Sequence, residues 1–418
     1  MRAGTELPDF SAAPWLIDPA VQRVFSALSK GGGEARIVGG AVRDAILGLP
    51  IRDIDFAVTE APEQVMQLAR AARIRGVPTG IKHGTVTLVV NHRGFEVTTL
   101  RSDLETDGRH ARVAFTKDWD TDARRRDFTM NALYCDAGGQ FYDPVGGLDD
   151  LRARRVRFIG EPQARITEDY LRVLRFFRFF AQYGRGAIDA PGLQAVAQNR
   201  AGLRKLSAER IRAELIRLLG APRAVEAARL MSEAGVFTGV DLGRALPEHL
   251  EQLEAMEGVL KIEPDPVRRI WALLGGGSSP DSRAESLAGR LRLTSAERSR
   301  LQMMATPRGL YPSLSQTERR AALYALGHED YRDHVLLNWM ASGDGADDEN
   351  WKILFELSEC WSPPDFPVKG ADVVARGVPK GPKVGAILRD LERWWIGAGF
   401  PEERAQIDAQ LDVLIKEG

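Results

Sequence analysis

Two carboxylates stand one residue apart in Asp53-Ile54-Asp55, shortly after the turn Gly39-Gly40-Ala41-Val42-Arg43-Asp44. In an extended chain, residues i and i+2 face the same way. Two carboxylates side by side repel and are costly to keep unless a cation neutralises them. Mg²⁺ suits such a site, because it takes one or two carboxylates together with substrate phosphates. That arrangement performs two-metal phosphoryl transfer. An isolated Asp-x-Asp reads more readily as a solvated acidic turn, and the glycine turn upstream reverses the balance. Two glycines after a strand let backbone N–H groups approach a polyphosphate. The helix that follows offers its positive end, and Arg43 adds a mobile charge there. No Gly-Lys-Ser/Thr follows, so the turn is not a Walker loop. Glu96, in Phe95-Glu96-Val97-Thr98-Thr99, is the candidate for a third acid on a neighbouring strand, or else pairs with a nearby arginine.

A second group is Arg124-Arg125-Arg126-Asp127-Phe128-Thr129-Met130-Asn131-Ala132, and a third is Glu168-Asp169-Tyr170-Leu171-Arg172-Val173-Leu174-Arg175-Phe176-Phe177-Arg178. On one helix Asp169 and Arg172 would be i, i+3 neighbours, with Leu171, Leu174 and Phe177 lining the core side. The bland reading is a helix salt bridge worth a few tenths of a kcal/mol. The chemical reading is a nucleotide selector. A carboxylate accepts from an exocyclic amine while a guanidinium donates to the adjacent ring nitrogen. Cytosine and adenine both offer that pattern. Uracil and guanine invert it and would leave buried polar groups unpaired, at about 1–3 kcal/mol per group.

The elements that must position these groups alternate at first. Ala35–Val38, Ile54–Val58, Thr85–Val90 and Phe95–Leu100 read as strands, and Ala41–Leu49 as a helix. From Thr167 onward apolar residues recur at helical spacing, with one amphipathic helix over Leu203–Leu219 opened near Ser207. Gly275-Gly276-Gly277-Ser278-Ser279-Pro280 is the clearest linker, and no internal repeat is present. The expected fold class is α+β: an N-terminal head, then an all-α neck, body and tail. The expected segments are a head over 1–155, a neck over 156–222, a body over 223–300 and a tail over 301–418.

Gly39 to Asp55 resembles the nucleotide-binding signature of class II CCA-adding enzymes and bacterial poly(A) polymerases, in the polymerase-β-like nucleotidyltransferase superfamily. The resemblance implies that Gly40 and Arg43 hold a triphosphate, and that Asp53 and Asp55 are catalytic and hold Mg²⁺. Arg101-Ser102-Asp103-Leu104 and Asp107-Gly108-Arg109 resemble the family's flexible loop. The order Arg-Arg-Asp-Phe-Thr-x-Asn-Ala matches its second motif, which implies nucleotide contact by Arg126, with Asp127 and Asn131 organising the site. Asp143-Pro144-x-Gly146-Gly147 matches the hinge between head and neck. The Glu-Asp-x-x-Arg-x-x-Arg order is similar to the base-reading motif. It implies that Asp169 and Arg172 read the base, while Arg175 and Arg178 bind phosphate or hold the pair. Ser207-x-Glu209-Arg210 resembles the motif that braces the neck. The resemblance is specific over roughly residues 35–220, and residues 221–365 carry no motif with assignable chemistry. Lys369-Gly370-Ala371-Asp372 and the Gly377–Gly385 stretch look like the C-terminal element of some members, or a surface turn.

The implied activity is addition of C, C and A to the 3′ end and acceptor arm of tRNA from CTP and ATP, without a template. A poly(A) polymerase and a CC- or A-adding enzyme share these motifs. A small-molecule nucleotidyltransferase fits poorly with the arginine-rich neck: nine arginines from Arg152 to Arg185 face only Glu161, Glu168 and Asp169. An inactive RNA-binding module would not require a costly acidic pair. The overall net charge of −1 leaves such local patches as the electrostatic signal. No histidine precedes an aspartate, so no His-Asp phosphohydrolase site is expected. Two cysteines, Cys135 and Cys360, suggest reduced thiols and a cytoplasmic protein. Met1–Ala20 has neither a basic start nor an apolar run, so no signal peptide is expected. No membrane association or obligate protein partner is expected either.

Overall fold

The computed structural model describes residues 7–105, 112–276 and 279–417. They form two compact units that divide between Leu242 and Gly243. In the first unit Asp18 caps helix α1 (Pro19–Leu28), its carboxylate accepting from the Ala20 N–H. Strand β1 (Ala35–Val38), helix α2 (Gly40–Ile46), β2 (Asp55–Val58) and α3 (Pro62–Ala71) follow, then β3 (Arg75–Gly80), β4 (Thr85–Val90) and β5 (Arg93–Thr99). A separate ribbon pairs β6 (Arg101–Glu105) with β7 (Arg112–Phe115). Asp107-Gly108-Arg109 lies outside the described residues. Helix α4 (Trp119–Arg124), β8 (Tyr134–Cys135), β9 (Phe141–Tyr142) and α5 (Gly147–Arg152) complete the head.

The main sheet runs in the order β3-β4-β5-β2-β1-β8-β9. Only β2 and β5 are parallel; the other neighbours are antiparallel. Period-two alternation gives the sheet two different faces. Val86, Leu88 and Val90 are buried while Thr85 and Thr87 are not; likewise Phe95 and Val97 are buried while Glu96 is exposed. Helices α1 and α3 cover the apolar face, where Phe25, Phe56 and Phe95 make successive edge-to-face contacts at 4.9 and 6.1 Å. The opposite face carries Asp55, Glu96, Thr98 and Thr85.

Strand β2 begins at Asp55, so Asp53 precedes it rather than sharing it. On the β1 side the ladder ends there: Val38, the last residue of β1, pairs with Asp55, and the chain then turns at Gly39.

The first unit continues with α6 (Pro162–Glu168), α7 (Leu171–Tyr183), α8 (Ala190–Asn199) and α9 (Ala208–Leu219), within the expected neck, then α10 (Ala224–Glu233) and α11 (Val236–Gly239), past it. Two expectations change here. The helix expected over Leu203–Leu219 starts at Ala208, because Arg200–Lys205 forms a 3₁₀ segment and Ser207 is extended. Asp169 is not helical: at φ −152°, ψ 107° it separates α6 from α7. Its Oδ1 accepts the Leu171 N–H at 3.0 Å, so the carboxylate caps the next helix instead of continuing the previous one. Leu171, Leu174 and Phe177 are buried as expected. Phe128 of the head meets Phe179 of α7 at a centroid distance of 5.2 Å, and Phe158, 5.0 Å from Phe128, meets Phe176 at 5.1 Å.

The second unit is helical throughout its described residues: α12 (Pro247–Leu260), α13 (Pro266–Leu274), α14 (Pro280–Leu291), α15 (Ser295–Ala305), α16 (Gln316–Ser342), α17 (Glu349–Cys360), α18 (Gly370–Ala375), α19 (Pro382–Gly397) and α20 (Arg404–Glu417). Gly327, at φ 75°, breaks α16. Trp339 and Trp351 stack at 6.0 Å in one core, beside a buried Arg268–Asp333 ion pair of 2.7 Å. Among the described residues no helix is long and apolar enough to cross a membrane.

Candidate active site

A cavity of about 420 Å³ opens on the polar face of the head sheet, where the neck helices meet it. Gly40, Arg43, Asp55, Arg126, Asp169, Arg172 and Arg175 all line it, as do Glu96 and Asn131. Asp53 and Arg178 do not.

The glycine turn forms one wall. Gly39 sits at φ 72°, a conformation open to glycine, and its N–H donates to the Leu133 carbonyl at 3.0 Å. Arg43 is not the mobile charge expected from the sequence. Its guanidinium is buried and donates to Asp44 (2.9 Å), Asn131 Oδ1 (2.8 Å) and the Tyr183 hydroxyl (2.7 Å). A cation fixed this way needs no reorganisation when an anion arrives.

The carboxylates form the floor. Asp55 and Glu96 are register partners on β2 and β5. Burial, then Glu96, then Asp53 push the Asp55 carboxyl up to about 6, with Arg126 opposing. Asp53 is exposed at the entrance to the strand. Glu96 and Asp53 thus both add repulsion at Asp55, against the single opposing charge of Arg126. Among the described residues no group of three or more His, Cys, Asp or Glu could by itself hold a metal ion. An open carboxylate site fits a cation that keeps waters and substrate phosphates as ligands.

Arg125 and Arg126 owe their placement to Asp122, a residue the sequence reasoning missed. Asp122 is fully buried and accepts from Arg125 (2.6 Å), Arg126 (3.0 Å) and the Tyr134 hydroxyl (3.0 Å). Burial alone would raise its pKa, but Arg126 and Arg125 outweigh burial and hold it at about 2. Asp127 behaves alike: against burial, Arg175 and the N–H groups of Asn131 and Phe128 hold it at about 2. The signal for Asp122 was its i, i+3 and i, i+4 spacing to Arg125 and Arg126. Asp122→Ala would strand buried guanidinium groups, and an expected loss of about 3–5 kcal/mol is measurable by urea unfolding. Both carboxyls are depressed below the usual 3.8, so their stabilisation is complete above that value and drains away as pH falls towards 2. Wild-type acid unfolding should therefore be steeper across that window than unfolding of Asp122→Asn.

Asp169 and Arg172 face the cavity; the Arg172 N–H donates to the Asp169 carbonyl at 3.0 Å, but their side chains are engaged elsewhere. Asp169 Oδ2 accepts from Arg210 at 2.6 Å. Arg172 donates to Glu168 (2.5 Å) and to the carbonyls of Arg165 (2.8 Å) and Arg125 (3.1 Å). Each is held by its own brace. Arg175 reaches Asp127 at 2.6 Å, and Arg178 is buried against Glu214 at 2.5 Å. The Phe179 ring lies 5.2 Å from the first guanidinium and 4.4 Å from the second. Phe179, Tyr183 and Glu214 carried no sequence signal of their own. Gly147 is firmly packed: a Cβ there would lie 2.1 Å from the Thr129 carbonyl oxygen.

A polar sheet face bearing carboxylates, a glycine turn at its edge and an arginine-lined cavity closed by helices define a nucleotidyltransferase. Residues 35–157 match the family model "Poly A polymerase head domain", and residues 187–241 match "Probable RNA and SrmB- binding site of polymerase A". The chain is 33% identical over 416 residues to mitochondrial CCA tRNA nucleotidyltransferase 1 of Mus musculus, covering 96% of this chain and 91% of that protein. It is 34% identical to the CCA-adding enzyme of Geobacillus sp. strain WCH70, covering 88% and 90%. The crystal structure of the Bacillus stearothermophilus CCA-adding enzyme in complex with CTP superposes with a TM-score of 0.69 at 27% identity, covering 96% of this chain and 98% of that one. The chain belongs to the CCA-adding nucleotidyltransferase family. Enzymes of this class are metal-dependent.

Proposed function

We propose that the protein adds C, C and A to the 3′ end of tRNA, using CTP and ATP and no nucleic-acid template. The observation that carries this reading is the convergence of Asp55, the Gly39-Gly40 turn and the Asp169/Arg172 pair on one cavity. The names of the most similar relatives support it over a polymerase that adds A alone.

In this reading Asp53 and Asp55 hold Mg²⁺, which when bound lowers the pKa of the attacking hydroxyl and stabilises the leaving phosphates. The backbone at Gly40, together with Arg43 and Arg126, holds the triphosphate so that pyrophosphate leaves towards the glycine turn. Asp169 accepts from the amine of cytosine or adenine, and Arg172 donates to the neighbouring ring nitrogen. Arg210 keeps the carboxylate aimed, while Glu168 and the Arg125 carbonyl keep the guanidinium aimed. Arg175 and Arg178 act chiefly by holding Asp127 and Glu214, which fastens α7 to the head and to α9. The segments 1–155, 156–222, 223–300 and 301–418 then serve as catalytic head, base-reading neck, body and tRNA-holding tail. Two free cysteines suit a reducing compartment, and we place the protein in the cytoplasm.

The test is incorporation of α-phosphate-labelled nucleotides into a tRNA transcript that lacks its last three residues. Label from CTP and ATP but not from UTP or GTP is expected; equal labelling from all four would overturn the selector.

A further inference from the structure

The direction from which the RNA enters follows from the strand order. Across the sheet, β1 ends in the glycine turn, β2 carries Asp55, β5 carries Glu96 and Thr98, and β4 carries Thr85. Val38, Asp55, Glu96 and Thr87 form one register row, and Ala57, Thr98 and Thr85 the next. In-line transfer places the attacking hydroxyl and the leaving pyrophosphate on opposite sides of the α-phosphorus. With the proposed triphosphate seat on β1, the RNA 3′-hydroxyl must approach over β5 and β4.

That side of the cavity is built unlike a solvent-facing surface. Thr98 and Thr85 line it and share a hydrogen bond of 3.1 Å, so each hydroxyl keeps further bonding capacity. Thr87, beyond Glu96 in the first row, shares a hydrogen bond of 2.9 Å with Thr79. Arg101 lines the same end and is anchored through the His83 carbonyl. Its direct cross-strand partner is Phe115, which is 45% exposed. The Phe115 ring leans on Gly84, where a Cβ would come within 3.0 Å of it and where φ is +85°. A bulky apolar ring is thus held open to solvent beside Arg101, just outside the cavity that Arg101, Thr85 and Thr98 line.

We propose that this shelf seats the 3′-terminal nucleotide of the RNA. The threonine hydroxyls meet its ribose, Arg101 meets its phosphate, and the Phe115 ring stacks on its base. Stacking suits the task because every base has a π-face, and the terminal residue changes each time the chain grows by one nucleotide. The inference rests on the proposed transferase activity and adds to it the seat of the second substrate.

Steady-state kinetics of Phe115→Ala, Thr98→Val and Phe115→Trp test it, with tRNA lacking its last three residues and with CTP or ATP varied in turn. Loss of one stacking contact should raise KM for RNA about tenfold in Phe115→Ala. KM for CTP and ATP, the preference over UTP and GTP, and the melting temperature should all stay near wild type. Thr98→Val should shift the same parameter by a smaller factor, and Phe115→Trp should restore it. An active Phe115→Ala enzyme with unchanged KM for RNA would overturn the shelf and leave the transferase reading intact. Parallel rises in KM for RNA and both nucleotides would also overturn it, since they mark a collapsed hairpin. A wild-type protein that binds CTP but extends no RNA would sink the transferase reading and the shelf together.

Discussion

Asp55→Asn should abolish transfer of both C and A, by at least about a thousandfold, and at the same time make the metal-free protein more stable. The two effects share one cause. The Asp55 carboxyl titrates at about 6 in the folded protein, against 3.8 ordinarily, because burial and two neighbouring acids oppose its charge. Between those values the native state keeps a proton that the unfolded chain releases. Raising the pH therefore costs stability, and the full cost stands above pH 6: at most about 3 kcal/mol for a shift of about 2 units. Asparagine removes the charge and with it the cost. In chelator-treated protein at pH 7.5 the variant should melt above wild type, and the difference should vanish near pH 4. Added Mg²⁺ should raise the wild-type melting temperature and leave the variant unmoved. A variant that melts below wild type without metal would contradict the picture of a strained carboxylate floor waiting for a cation.

Arg172→Ala should act on choice rather than on chemistry. Asp55, Glu96 and Arg43 stay in place, because none of them touches Arg172. What goes is the donor to N3 of cytosine and N1 of adenine. Without it, UTP and GTP no longer face an opposed N–H donor. Discrimination should fall by about 10- to 100-fold, the range expected for one or two mispaired buried groups. The measurement is kcat/KM for all four nucleotides on one primer. Arg210→Ala should blur selection in the same direction but less, since Asp169 keeps its bond to the Leu171 N–H. Unchanged selectivity in Arg172→Ala would sink the template assignment.

The parts of this site that rest on local rules were legible in the chain. Thr85–Val90 is rich in β-branched residues, and it forms the strand expected at those residues, with Val86, Leu88 and Val90 buried. Gly39-Gly40 demanded a turn that only glycine makes easily, and Asp55 stands beside it. What could not be read were pairings between distant segments. Arg43 meets Asn131 and Tyr183, which lie 88 and 140 positions away, so its fixed rather than mobile state has no local signature. Asp169 looked like one more helical residue; it leaves the helix with one carboxylate oxygen on the Leu171 N–H and the other on Arg210, 41 residues later. Asp53 lies outside the strand, which begins at Asp55, where the last residue of β1 pairs with it.

The central claim is that a protein cavity, not a nucleic acid, dictates C, C and A. It is tested most directly by sequencing the product made from a tRNA lacking its last three residues, with Mg²⁺ and all four nucleotides present. The expected product is a discrete three-nucleotide CCA end. A ladder of A residues, a stop after CC, or mixed insertion of U and G would contradict it.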